Sequence, residues 1–74
     1  MLDVTVIGER LRTARHAKHL SQMDVAARIG FSPRAYQSWE RNEFVPTLYG
    51  IAEAAACLGV SLDYLVGLTD NPDK

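Results

Sequence analysis

Within the stretch FSPRAYQSWERN, residues Phe31 to Asn42, four hydrogen-bonding side chains recur at helical intervals: Arg34, Gln37, Ser38 and Arg41 stand at i, i+3, i+4 and i+7. On a helix this spacing gathers them into one face. The face is rich in donors, a chemistry suited to a partner rich in acceptors such as phosphates and base edges. Tyr36 and Trp39 occupy the remaining side, enough to anchor the segment to a core while the polar face looks outward.

Other chemistries find less support. His16 and His19 lie three apart, a spacing able to hold a metal, but Cys57 is distant and no carboxylate joins them, so solvent-facing histidines are expected. Cys57 sits among alanines and reads as a small packing residue. There is no set of nucleophile, base and orienting group, no glycine-rich phosphate loop and no paired carboxylates. The expectation is a non-enzyme without metal or cofactor.

A chain of 74 residues makes one domain. Such a domain buries only about 60% of its unfolded surface and stands near the lower limit for folding without staples. One cysteine cannot form an internal disulfide, which fits a reducing, cytoplasmic setting. No apolar run approaches the roughly 20 residues of a membrane span, and the N-terminus MLDVTVIGER lacks the order of a signal peptide. Net charge is −1, yet it is unevenly spread. Met1 to Asn42 carries seven basic and four acidic residues, +3, and the remainder carries one basic and five acidic, −4. A basic half can give the molecule one positive face, as nucleic-acid binding requires.

Helix punctuation divides the chain. Ile7, Leu11, Ala14 and Lys18 at helical spacing predict a first helix over about Val6 to Lys18. Ser21 and Asp24 form a capping-box variant for a short second helix, with Val25, Ala26 and Ile29 inward and Gly30 as its stop. Ser32 caps the third, Pro33 takes its first position, and Asn42 supplies the left-handed residue that ends it. After the loop EFVP, Thr47 caps a fourth helix with the inward stripe Leu48, Ile51, Ala52, Ala55 and Leu58, ending at Gly59. Of Phe44 and Val45 in that loop, one is expected in the core and the other at an interface. Ser61 caps a short fifth helix stopped by Gly67, and the polar tail TDNPDK is expected to be loose. The predicted fold is all-α: five short helices in a domain over residues 1–68, with a tail over 69–74.

Between Ile29 and Ser32 only Gly30 and Phe31 intervene, too few for the third helix to fold back antiparallel on the second. The two must cross steeply, as in a helix-turn-helix unit whose second helix enters the major groove of DNA. The donor stripe then faces base edges and phosphates.

Three segments, IGERLRTARHAKHLSQMDVAARIGFS, WERN followed by VPT, and LGVSLDYLVG, appear in order and at the spacing of the phage-repressor and Cro-like family of helix-turn-helix regulators, which the chain resembles over nearly its whole length. The resemblance implies a lambda-repressor-like domain in which Gln22 meets the DNA backbone and Pro33, Arg34, Gln37 and Ser38 stand at base-reading positions. Arg41 belongs to the same polar face. It also implies that Arg15 pairs with Glu40, which beside Trp39 would otherwise lack a partner at the core edge. Where the family often carries a glycine and then basic residues, this chain has Asn42, Glu43 and Phe44.

Two functions are consistent with these residues. The first is a sequence-specific regulator of transcription, a repressor, binding double-stranded DNA as a homodimer on two half-sites. Leu62 and Tyr64, left outside the core by a one-turn helix, would form its two-fold contact. The alternative is a protein-interaction module, antitoxin-like or adaptor, on the same fold. Glu43 and the negative net charge favour the alternative, and the stripe from Arg34 to Arg41 favours the first.

Overall fold

The computed structural model describes Met1–Lys74. A single 3-10 turn, Val4–Val6, leads into five α-helices: α1 Ile7–Ala17, α2 Gln22–Ile29, α3 Pro33–Glu40, α4 Leu48–Leu58 and α5 Leu62–Leu65. No helix is long and apolar enough to cross a membrane.

Four helix starts rest on the expected hydroxyl caps. Ser21 Oγ accepts from Asp24 N while Asp24 accepts from Ser21 N, a reciprocal box. Ser32 accepts from Ala35 N, Thr47 from Gly50 N and Ser61 from Tyr64 N. Each cap satisfies a first-turn N–H that has no partner within the helix, a contribution of about 1 kcal/mol. At the other ends, Gly30 and Gly59 take left-handed φ values of 80° and 70°. Asn42 and His19 do the same without glycine, each at φ 57°.

All five helices contribute to one core: Ile7, Leu11 and Ala14 from α1, Val25, Ala26 and Ile29 from α2, Tyr36 and Trp39 from α3, Ile51, Ala54, Ala55 and Leu58 from α4, and Leu65 from α5. Phe31, in the turn between α2 and α3, stacks edge-on against Trp39 with ring centroids 4.9 Å apart. That contact and the left-handed Gly30 shape the two-residue turn from α2 into α3. Gly50 lets α4 lie on the indole, since a Cβ there would stand 2.6 Å from Trp39 Cη2.

Several expectations need correction. Leu48 is 76% exposed and Ala52 faces solvent. The inward stripe of α4 is Ile51, Ala54, Ala55 and Leu58, because the approach at Gly50 rotates the helix about its axis. Lys18 is exposed past the end of α1, and Arg15 takes the last inward position. Phe44 and Val45 are both exposed, while Pro46 fills the core place expected of one of them. The tail is tied rather than loose: Pro72 O accepts from Ser61 N at 2.7 Å, and Arg10 donates to Thr69 O and Asp70 Oδ1, each at 2.6 Å.

Candidate nucleic-acid interface

α3 carries the face expected of it, with one exception. Pro33 and Arg34 are exposed at its start, Gln37 is half-buried one turn on, and Arg41 is exposed just past its end. The Arg34 guanidinium has no carboxylate partner in the chain. Arg41 has one: Nη2 lies 2.8 Å from Glu43 Oε1. Ser38 does not share this face. It is buried, its hydroxyl donates to Ala35 O at 2.6 Å, and its carbonyl accepts from Glu43 N as the chain folds back over it. The return turn after α3 covers the position that helical spacing placed outside.

Behind that face lies a buried network centred on Glu40, which is 2% exposed. Arg15 grips its carboxylate with two bonds, Nε to Oε2 at 2.7 Å and Nη2 to Oε1 at 3.0 Å, and spends Nη1 on Leu20 O. Gln22, the first residue of α2, donates its amide N–H to the same Oε1 at 3.0 Å. Burial pushes the Glu40 carboxyl up, but the bonds from Arg15 first, and then the groups around it, outweigh burial and hold its pKa below the usual range. The Tyr36 hydroxyl is enclosed without a hydrogen-bond partner. Burial, and then the Glu40 carboxylate, push its pKa far up, so it stays neutral. Gln22 is therefore not a free surface amide. One N–H is committed to Glu40, and the other makes no hydrogen bond within the chain.

Four features of this scaffold have no counterpart among the sequence expectations. Arg12 donates from Nη2 to Glu40 O at 3.0 Å, placing a cation at the C-terminal end of α3, where the helix dipole favours one. Gly8 lets α1 touch that end, since a Cβ there would overlap the Glu40 carbonyl oxygen. Asn42 bonds both Gly8 N and Thr5 O, each at 3.1 Å. Arg10 stacks over the Tyr64 ring at 4.5 Å and donates to Tyr64 O. The lone glycine inside an otherwise good helix was the available signal for the first three, because such a glycine marks close packing.

Leu62 and Tyr64 are half-buried and pack against the core, so they offer less free surface than a one-turn helix suggested. The large apolar side chains in the open include Phe44 at 70%, Val45 at 63%, Leu48 at 76% and Tyr49 at 65% exposure.

The same architecture occurs in the P22 c2 repressor, solved in complex with a synthetic operator. The two align with a TM-score of 0.78 and 32% sequence identity over 81% of this chain and 91% of that one. In sequence the chain is 37% identical over 65 residues to the uncharacterised HTH-type transcriptional regulator YobD of Bacillus subtilis, covering 88% of this chain and 58% of YobD. It is 36% identical over 61 residues to the cryptic phage CTXphi transcriptional repressor RstR of Vibrio cholerae, covering 82% of this chain and 54% of RstR. The chain thus spans little more than half the length of these two relatives. Residues 11–65, from the middle of α1 to the end of α5, match the helix-turn-helix family, and the chain belongs to it.

Proposed function

We propose that the chain is a sequence-specific, double-stranded DNA-binding regulator of transcription, a repressor that acts inside the cell as a homodimer on an operator with two half-sites. The observation that carries this reading is the outward face of α3. Pro33, Arg34 and Gln37 lie along that helix, with Arg41 just past its end, and its inner side is locked by Tyr36, Trp39 and the buried Arg15–Glu40 pair. A guanidinium without an internal partner near the start of such a helix suits the guanine edge in the major groove, the commonest specific contact. Gln22, at the first turn of α2, adds its free amide hydrogen to a helix N-terminus that already favours a phosphate. Related transcriptional regulators, and the repressor solved on its operator, support the same reading.

Electrophoretic mobility shift across salt concentrations tests it. Affinity for duplex DNA should fall linearly on a log–log scale, by about 0.9 in slope for each phosphate neutralised. No shift with any duplex at low salt would defeat the proposal. A second reading, a protein-interaction module, draws on the exposed Phe44, Val45, Leu48 and Tyr49 and on the net charge of −1. The same titration separates the two, because a module of that kind has no salt-dependent affinity for DNA.

A further inference from the structure

Asn42 sits at φ 57°, a left-handed conformation that glycine adopts without strain and other residues rarely enter. Its side chain supplies a reason for asparagine at that position. α1 begins without a cap of its own, since Val6 offers no side-chain acceptor to the free N–H groups of the first turn. Asn42 Oδ1 accepts from Gly8 N at 3.1 Å, and Asn42 Nδ2 donates to Thr5 O at the same distance. The amide has only one orientation that satisfies both, because reversing it would set donor against donor and acceptor against acceptor. The residue that ends the third helix is thus the cap of the first, supplied from 34 positions away.

This cap bears on recognition. All other bonds from α1 to the end of α3 converge on Glu40: Arg15 on its carboxylate and Arg12 on its carbonyl. Core packing of Tyr36 and Trp39 fixes the inner side of α3, and a second attachment point between α1 and the end of α3 restrains the residual rocking that hydrogen bonds to Glu40 alone would leave. Arg34 lies six residues from Glu40, about 9 Å along the helix axis, so a small pivot at the held end becomes a displacement at the reading end. From this geometry we infer that Asn42 is a positioning residue for sequence readout, fixing the rotation of α3 through the N-terminal turn. The inference rests on the DNA-binding reading above.

The test compares wild type, N42G and N42D on two probes at one salt concentration: a duplex selected by the wild-type protein from a random pool, and a scrambled duplex of equal length. N42G keeps the backbone conformation and loses both bonds. It should lower the ratio of selected to scrambled affinity about three- to tenfold, a part of the combined worth of the two lost hydrogen bonds, while scrambled-duplex affinity stays within twofold. Amide exchange at Gly8 should accelerate in N42G. N42D keeps the acceptor for Gly8 N and loses the donor to Thr5 O, so Gly8 stays protected and the ratio falls between the other two. A folded N42G with the wild-type ratio would overturn the inference, and so would equal losses on both probes. Failure of the wild type to prefer any duplex would instead overturn the DNA-binding reading, and the inference with it.

Discussion

Arg15 and Glu40, 25 residues apart, meet through two charge-assisted hydrogen bonds in a site where Arg15 is only 8% exposed and Glu40 only 2%. The pair joins the last turn of the domain's first helix to the last residue of its third. Burial of both ions makes the pair's net contribution small, but makes removal of either partner alone severe. Arg15→Ala and Glu40→Ala should each lower stability by about 3 to 5 kcal/mol. The double variant should lose far less than the sum, and strictly additive losses in thermal or denaturant unfolding would show that the two do not interact.

Acid should expose the same pair. The carboxyl of Glu40 titrates below its ordinary value in the folded chain, so the stability it confers is complete above the unfolded pKa of about 4.3 and is lost as pH falls through the folded value. Wild type should therefore lose stability steeply below about pH 4. Glu40→Gln should flatten that fall without abolishing it, because Asp24, held by its Ser21 hydrogen bonds, also titrates low. Denaturant midpoints at pH 7, 5, 4 and 3 measure the difference. Parallel curves for the two proteins would contradict it.

Arg34 and Arg41 should fail differently. Arg34→Ala is expected to cost about 1 to 3 kcal/mol on a preferred duplex and little on others, since it would remove the proposed base contact. Arg41→Ala should weaken all duplexes alike and reduce the salt slope by about 0.9. Glu43→Gln should act in the opposite sense. It frees the Arg41 guanidinium from a carboxylate 2.8 Å away and removes a negative charge beside the proposed DNA-facing surface. Salt-dependent binding curves for the three variants decide the matter, and a uniform loss for Arg34→Ala would reassign that residue to the phosphate backbone.

For the homodimer, the substitution pair Leu62→Ala with Tyr64→Ala should abolish cooperativity between two half-sites while leaving single half-site affinity intact. Their half-buried setting and the Arg10 stacking on Tyr64 mean that the contact would be shared with Arg10. Cooperativity unchanged by the pair but removed by Phe44→Ser with Val45→Ser would place the two-fold contact on the loop between α3 and α4.

Local signals were legible in the sequence, whereas among through-space ones the Arg15–Glu40 pair was expected only through the family resemblance. Ser21, Ser32, Thr47 and Ser61 announce helix starts because a hydroxyl cap acts within three residues of itself. Gly30 and Gly59 announce ends for the same local reason. Ser38 misleads because helical spacing places it outward, whereas the turn through Asn42 to Phe44 covers it. Leu48 misleads because the rotation of α4 depends on what Gly50 meets, and that is the Trp39 ring, 11 residues back and on another helix. Arg12 and the Asn42 amide bond to backbone atoms on distant elements, so that Gly8 signals close packing at that place without naming the partners.

Near the start of the chain Asp3 N donates to Val66 O at 2.8 Å, and Gly67 leaves room where a Cβ would crowd Asp3. Entry and exit of the folded unit therefore lie side by side, as in a cassette with both leads on one edge. A short bridge could join residue 3 to residue 67, with loss of the bonds from Arg10 and Ser61 to the tail, and new ends be opened in an exposed loop, or the unit could be spliced into a host protein, without stretching any helix. What holds the two leads together is one backbone hydrogen bond and one missing methyl group.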